Sequence, residues 1–151
     1  IQSHYEDRIG KLFSDAEDNP DDAETLVRCR KQLKAYIDSG LISDTVLMQY
    51  RRKLADVLQR LCIMQPAAVR YKFEYIENSI LIGKTDNVKE QLEILEKEYP
   101  DDVRLYKLYV QYYYFTNNGA GISDVISKVK NRGIYLDSEG KQWLDAWNPN
   151  K

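Results

Sequence analysis

Side chains suited to acid–base, nucleophilic or metal chemistry are scarce in this chain. The one histidine, His4, stands at a chain end, where groups are poorly held for general acid–base work. With it come two cysteines, Cys29 and Cys62, too few for the Cys and His sets of a structural zinc site. Both cysteines fall on helices expected to pair as a hairpin around Gly40. Antiparallel pairing sets Cys29 near Lys53, which leaves Cys62 roughly 13 Å further along at 1.5 Å per residue. A disulfide needs Cα atoms within about 7 Å, so both read as small core residues in a reducing compartment. Gly83-Lys84-Thr85 ends like a phosphate-binding loop, but that motif needs an earlier glycine after a strand, where this chain has Asn78 in a helical pattern. Carboxylates gather at helix starts, Asp21-Asp22 and Asp101-Asp102, where they complement the helix dipole. Nothing singles out an acid–base pair of the glycosidase kind. The expectation is a protein that is not an enzyme, with no metal and no cofactor.

The cations are more suggestive. Residues 25–37 hold Arg28, Arg30, Lys31 and Lys34 with no acid, and residues 45–55 hold Arg51, Arg52 and Lys53, again with no acid. Pairing around Gly40 brings the two bands to one level, while helix rotation decides whether they share a face. Such a patch suits phosphate, nucleic acid or an acidic neighbouring domain; the plainer reading is a solvated basic helix face. A net charge of −2 excludes a globally basic nucleic-acid binder, so nucleic acid ranks last among partners.

These groups need elements to hold them. A chain of 151 residues, 43% hydrophobic, can bury a core without metal or disulfide help. With 7 Gly and 4 Pro it is poor material for a turn-rich β fold or a disordered tail. No apolar run reaches the ~18–20 residues of a membrane span, and no signal-peptide pattern opens the chain; a cytoplasmic location is expected. The chain starts at Ile1 without a Met, which suggests a fragment of a longer protein.

Nearly every segment has a helical period and none alternates like a strand. The first helix runs over 3–16 and the second to about Asp38, where Ser39-Gly40 stops it. The third is capped by Ser43 or Asp44 and ends near Gln65. Pro66 opens the fourth, with Val69, Phe73, Ile76 and Ile80 aligned; the fifth carries Val88, Leu92 and Leu95. A tyrosine-rich sixth helix follows Pro100 and ends in a Gly-rich loop at 117–121, before a seventh over 122–132. Asp137 or Ser138 caps the last, which bears Trp143, Leu144 and Trp147. Of the 12 tyrosines, Tyr106, Tyr109 and Tyr113 share a face with Val110 and belong to the core. Tyr112 and Tyr114 lie on the flanks, so at least one is expected to be partly exposed. The fold class is all-α, an array of antiparallel helical hairpins.

Pro20-Asp21-Asp22-Ala23, Pro66-Ala67-Ala68-Val69 and Pro100-Asp101-Asp102-Val103 each open a helix in the same way. Pro66 and Pro100 are 34 residues apart, the tetratricopeptide period. With these prolines at the repeat-ending position, Gly83 falls between the two helices of a repeat, and Val88, Leu92 and Leu95 take second-helix packing positions. Tyr106, Tyr109 and Tyr113 take the packing positions of the next first helix. Residues 66–136 thus resemble a degenerate pair of tetratricopeptide repeats, with a right-handed superhelix as the implied fold. The departures are Lys72 and Ser79 where large apolar residues are usual, and Ile76 and Val110 where small ones are. Residues 1–65 would be divergent helices of the same domain and 137–151 a capping helix. Residues 96–113 also resemble helical-repeat tails of some bacterial membrane-linked Ser/Thr kinases.

The tetratricopeptide resemblance places Arg70, Phe73, Glu77 and Ile80 on the groove face of one first helix, and Arg104, Lys107, Gln111 and Tyr114 on the next. Arg70, Arg104 and Lys107 would hold the carboxylates of an acidic or C-terminal peptide, since the guanidinium fork matches a carboxylate. Against this stands an ordinary solvated helix surface. The expected function is a non-catalytic protein–protein interaction or scaffold module that binds a peptide or partner domain through a helical-repeat groove. The alternative is a helical sensor or regulatory domain of a larger, membrane-linked signalling protein, binding a small ligand between its helices.

Overall fold

The computed structural model describes residues 2–147. Eight α-helices follow one another there: α1 (Gln2–Asp18), α2 (Ala23–Asp38), α3 (Asp44–Met64), α4 (Val69–Leu81), α5 (Val88–Glu98), α6 (Val103–Phe115), α7 (Gly119–Arg132) and α8 (Ser138–Trp147). The fold is all-α, and packing runs mostly between sequence neighbours, as in an array of antiparallel hairpins, with α8 also packed on α6. No helix among the described residues is long and apolar enough to cross a membrane. Residues 148–151, the end of the expected capping segment, lie outside the described residues.

The repeated Pro-Asp-Asp signal acts through its second acid. Asp22 Oδ1 accepts from the Glu24 backbone N–H at 3.1 Å, and Asp102 Oδ1 from that of Arg104 at 3.0 Å. These carboxylates are N-caps, each satisfying a donor that the first helical turn leaves open. The prolines therefore stand outside the helices that they announce. Pro66 likewise precedes α4, which begins at Val69.

The chain divides into two compact units, residues 1–78 and 79–151. In the first, α2 packs against both α1 and α3. Ile9, Leu26, Cys29, Leu33, Leu58 and Leu61 are at most 1% exposed and belong to one core cluster. Tyr36, also fully buried, stacks on Tyr5 at 5.3 Å and meets Tyr50 edge-on at 4.9 Å. Gly40, at φ +73°, turns the chain between α2 and α3 in a conformation that side chains resist. No disulfide joins Cys29 and Cys62, and burial pushes the Cys29 thiol up to about 11, as suits a small core residue.

Arg30 on α2 reaches Glu74 on α4 with both guanidinium arms, each side chain about one-fifth exposed. Replacing Glu74 with Ala leaves Arg30 half-buried without its carboxylate, and is expected to cost about 1–2 kcal/mol in urea denaturation. An Arg30→Met and Glu74→Leu double variant should recover most of that loss.

In the second unit α6 is the central element, with α5, α7 and α8 all packed against it. That explains the tyrosine excess: Tyr106, Tyr109 and Tyr113 are buried with Leu105, Leu108 and Val110, and a helix covered on several sides needs large side chains. Both Tyr112 and Tyr114 are half-buried. The Gly-rich stretch departs from expectation. It is not all loop, because α7 begins at Gly119 and Asn118 caps it, its Oδ1 accepting from the Gly121 N–H at 2.9 Å. Gly121 is required by close approach, since a Cβ there would lie 2.3 Å from Tyr113 Cδ1.

Candidate functional site

The predicted groove residues lie in both units. In the first unit, Arg70 is exposed at the start of α4, its guanidinium 4.9 Å from the centre of the Tyr71 ring and donating to Tyr71 Oη at 2.9 Å. Phe73 is buried, and Glu77 is half-buried. In the second unit, Arg104 is exposed and forked onto Asp102, with Nε–Oδ1 at 3.1 Å and Nη2–Oδ2 at 2.7 Å. This bond holds the Asp102 carboxyl below its usual range. Lys107 is half-buried and pairs with Glu139 of α8 at 3.4 Å. Tyr114 meets Trp143 edge-on at 5.2 Å and Trp147 at 6.0 Å. Gln111 is 1% exposed.

The expectation of one open row of side chains is therefore corrected. Phe73 and Gln111 are core residues, the first because a large apolar ring gains by burial and the second because α6 is enclosed. Lys107 and Tyr114 are taken up by α8, which brings its two tryptophans onto α6. Arg70 and Arg104 remain at the surface.

The seven-cation band is also divided. Arg30 is committed to Glu74. Arg51 is half-buried, and burial lowers its pKa despite the nearby charges of Asp38 and Glu77. Lys53 lies over the Phe13 and Tyr50 rings at 5.3 and 5.1 Å, an arrangement that favours a cation near the aromatic faces. Lys34 is half-buried and Arg52 exposed. Arg28 and Lys31 share a cleft with Gln32, and its facing wall comes from α1. Arg8 and Lys11 supply the remaining cations of this cleft, of about 420 Å3. Sequence reasoning missed them, although their signal was present. Each pair is spaced three apart, and the antiparallel turn at 19–22 brings the two pairs level.

A carboxylate with several partners is Glu96 on α5. It accepts from Tyr109 Oη at 2.7 Å, from Lys128 Nζ at 3.3 Å, and pairs with Arg132 Nη1 at 3.0 Å. Arg132 also donates to Tyr106 Oη, and Tyr106 in turn donates to the Pro100 carbonyl. Three helices meet at one anion here, which is an arrangement for holding α5, α6 and α7 together. Among the described residues, no cluster of His, Cys, Asp and Glu is placed to hold a metal ion.

What these features define is a helical array with charged surfaces. No family model matches the chain, and comparisons with curated proteins and with solved structures likewise find no match.

Proposed function

We propose that the protein is a non-catalytic interaction module of tetratricopeptide-like character, which binds an acidic peptide or partner domain. The observation that supports this most is the pair of arginines at the second position of α4 and of α6. Arg70 and Arg104 are separated by one 34-residue period, and both are exposed. Helical hairpins stacked in sequence bury their apolar faces on one another and present extended surfaces to partners. A guanidinium at the start of each first helix is suited to a carboxylate. Arg104 already holds Asp102 in this geometry, so a partner would share or replace an existing carboxylate.

An array of peptides with free C-terminal carboxylates tests the reading. Arg104→Glu is expected to weaken the peptides selected by the native protein about tenfold, by replacing attraction with repulsion. Arg104→Gln should show a smaller loss. Unchanged affinity in both variants would remove Arg104 from the binding surface.

A further inference from the structure

The α1–α2 hairpin carries a cation set of its own. Arg8 and Lys11 sit three residues apart on α1, and Arg28 and Lys31 three apart on α2, so each pair lies on one helical face with Cβ atoms about 5–6 Å apart. All four are exposed and line the same open cleft. With packed helix axes about 8–10 Å apart, the cations frame a patch of roughly 5 by 10 Å. Leu12 gives this frame an apolar wall and Gln32 an amide. Asp15 is its one carboxylate, and among the described residues no ion pair within 4.0 Å ties it to any of the four cations. Arg28 spends one long bond, 3.5 Å, on Thr25 Oγ1.

We propose that this cleft is a docking site for an acidic peptide segment, whose carboxylates meet the four cations while an apolar side chain rests on Leu12. The inference rests on the reading of the chain as an interaction module but uses a surface separate from Arg70 and Arg104. Charge complementarity selects the occupant. Two arginine forks and two ammonium groups, none in an ion pair within 4.0 Å among the described residues, attract a segment carrying several carboxylates. A nucleic-acid backbone is a poorer match. Asp15 repels a chain of uniform negative charge, and Leu12 offers nothing to phosphate and sugar. A peptide can place a donor beside Asp15 and a leucine or similar residue on Leu12, which fixes its direction along the hairpin.

The probe is a fluorescein-labelled helical peptide of alternating Glu-Glu and Leu steps, followed by anisotropy against the full chain. A twin with Gln for every Glu is the control peptide. The acidic probe is expected to bind and the Gln twin not, with affinity falling as salt rises from about 0.05 to about 0.5 M. Lys11→Glu with Lys31→Glu should weaken binding by about tenfold or more, and Asp15→Asn should strengthen it about twofold. Arg8→Gln with Arg28→Gln, which only neutralises exposed groups, repeats the test with less risk to folding; circular dichroism confirms the helix content of each variant. Absence of binding by the native chain overturns the proposal, as does an equal loss on Arg52→Glu, which would mark unspecific attraction. Tighter binding of duplex DNA than of the peptide also overturns it. If Arg104→Glu abolishes binding and the cleft variants do not, the cleft falls while the interaction reading stands. Loss in the cleft variants alone supports the cleft.

Discussion

Gly121→Ala is expected to destabilise the second unit by about 3–4 kcal/mol, close to the upper end for a single overpacked methyl group. The usual effect has the opposite sign, since Ala is better than Gly inside a helix by about 1 kcal/mol. Sterics win at this position. A Cβ would meet three atoms of the Tyr113 ring at 2.3, 2.5 and 2.6 Å. The ring has little room to retreat, because it is stacked on Tyr109 at 6.1 Å and packed on Tyr112 at 5.2 Å. The N-terminus of α7 would have to lift off α6, taking with it the Asn118 cap. Gly10 provides the internal comparison. It lies within α1, with nothing inside 4 Å of its Cβ position, so Gly10→Ala should raise stability by about 0.5–1 kcal/mol. Urea denaturation of both variants reads the contrast directly. Tyr113→Leu in the Gly121→Ala background should cost less than the two changes summed, the mark of a shared contact. If Gly121→Ala stabilises as Gly10→Ala does, α7 does not approach α6 this closely.

Helix spans were legible in the sequence because they depend on local rules. Apolar periodicity and the Pro-Asp-Asp signals placed all eight helices, and Tyr106, Tyr109, Val110 and Tyr113 were assigned to the core by their shared face. What was not legible depends on contacts distant in sequence. Gly119 and Gly121 look like loop residues until Trp147 is known to lie against the first and Tyr113 against the second. Then the absence of a side chain becomes a packing requirement rather than a turn signal. Arg30 and Lys53 looked like members of one basic band, yet Glu74 takes the first and the Phe13 and Tyr50 rings the second. Lys107 and Tyr114 look open because nothing in α6 itself announces that Glu139 will pair with the first and that Trp143 and Trp147 will meet the second. Conversely, Arg8 and Lys11 do not stand out along the chain, because Glu6, Asp7 and Asp15 are interspersed with them on α1. Charge counted along the chain differs from charge grouped by helical face, and only the latter meets a partner.

The second large effect concerns Glu96, whose replacement by Ala is expected to cost about 2–3 kcal/mol. Most of that comes from Tyr109, a buried hydroxyl left without its acceptor. The Lys128 and Arg132 side chains are 34% and 37% exposed, so solvent screening keeps their share small. Burial alone would raise the Glu96 pKa, but the hydrogen bonds from Tyr109, Lys128 and Arg132 more than offset it and hold the carboxyl below its ordinary range. The unfolded chain therefore takes up this proton first as pH falls. The contribution is complete above the ordinary carboxylate pKa of about 4.3 and is lost as pH drops through the lower folded value. Tyr109 has the opposite shift. Burial first, and then the bond to Glu96, push its phenol far above the usual tyrosine range. The folded protein keeps that proton where the unfolded chain loses it, so stability is complete below about pH 10 and declines as pH rises beyond. One hydrogen bond thus contributes to both edges of the stability profile. Glu96→Gln should flatten part of the acid edge, to which Asp22 and Asp102 also contribute, and Tyr109→Phe part of the alkaline edge, to which Tyr50, Tyr113, Cys29 and Cys62, all shifted upward by burial, contribute as well. Urea midpoints between about pH 3 and about pH 11 measure both slopes. A Glu96→Gln variant with an unaltered acid slope would mean that this carboxylate is not the anion on which α5, α6 and α7 converge.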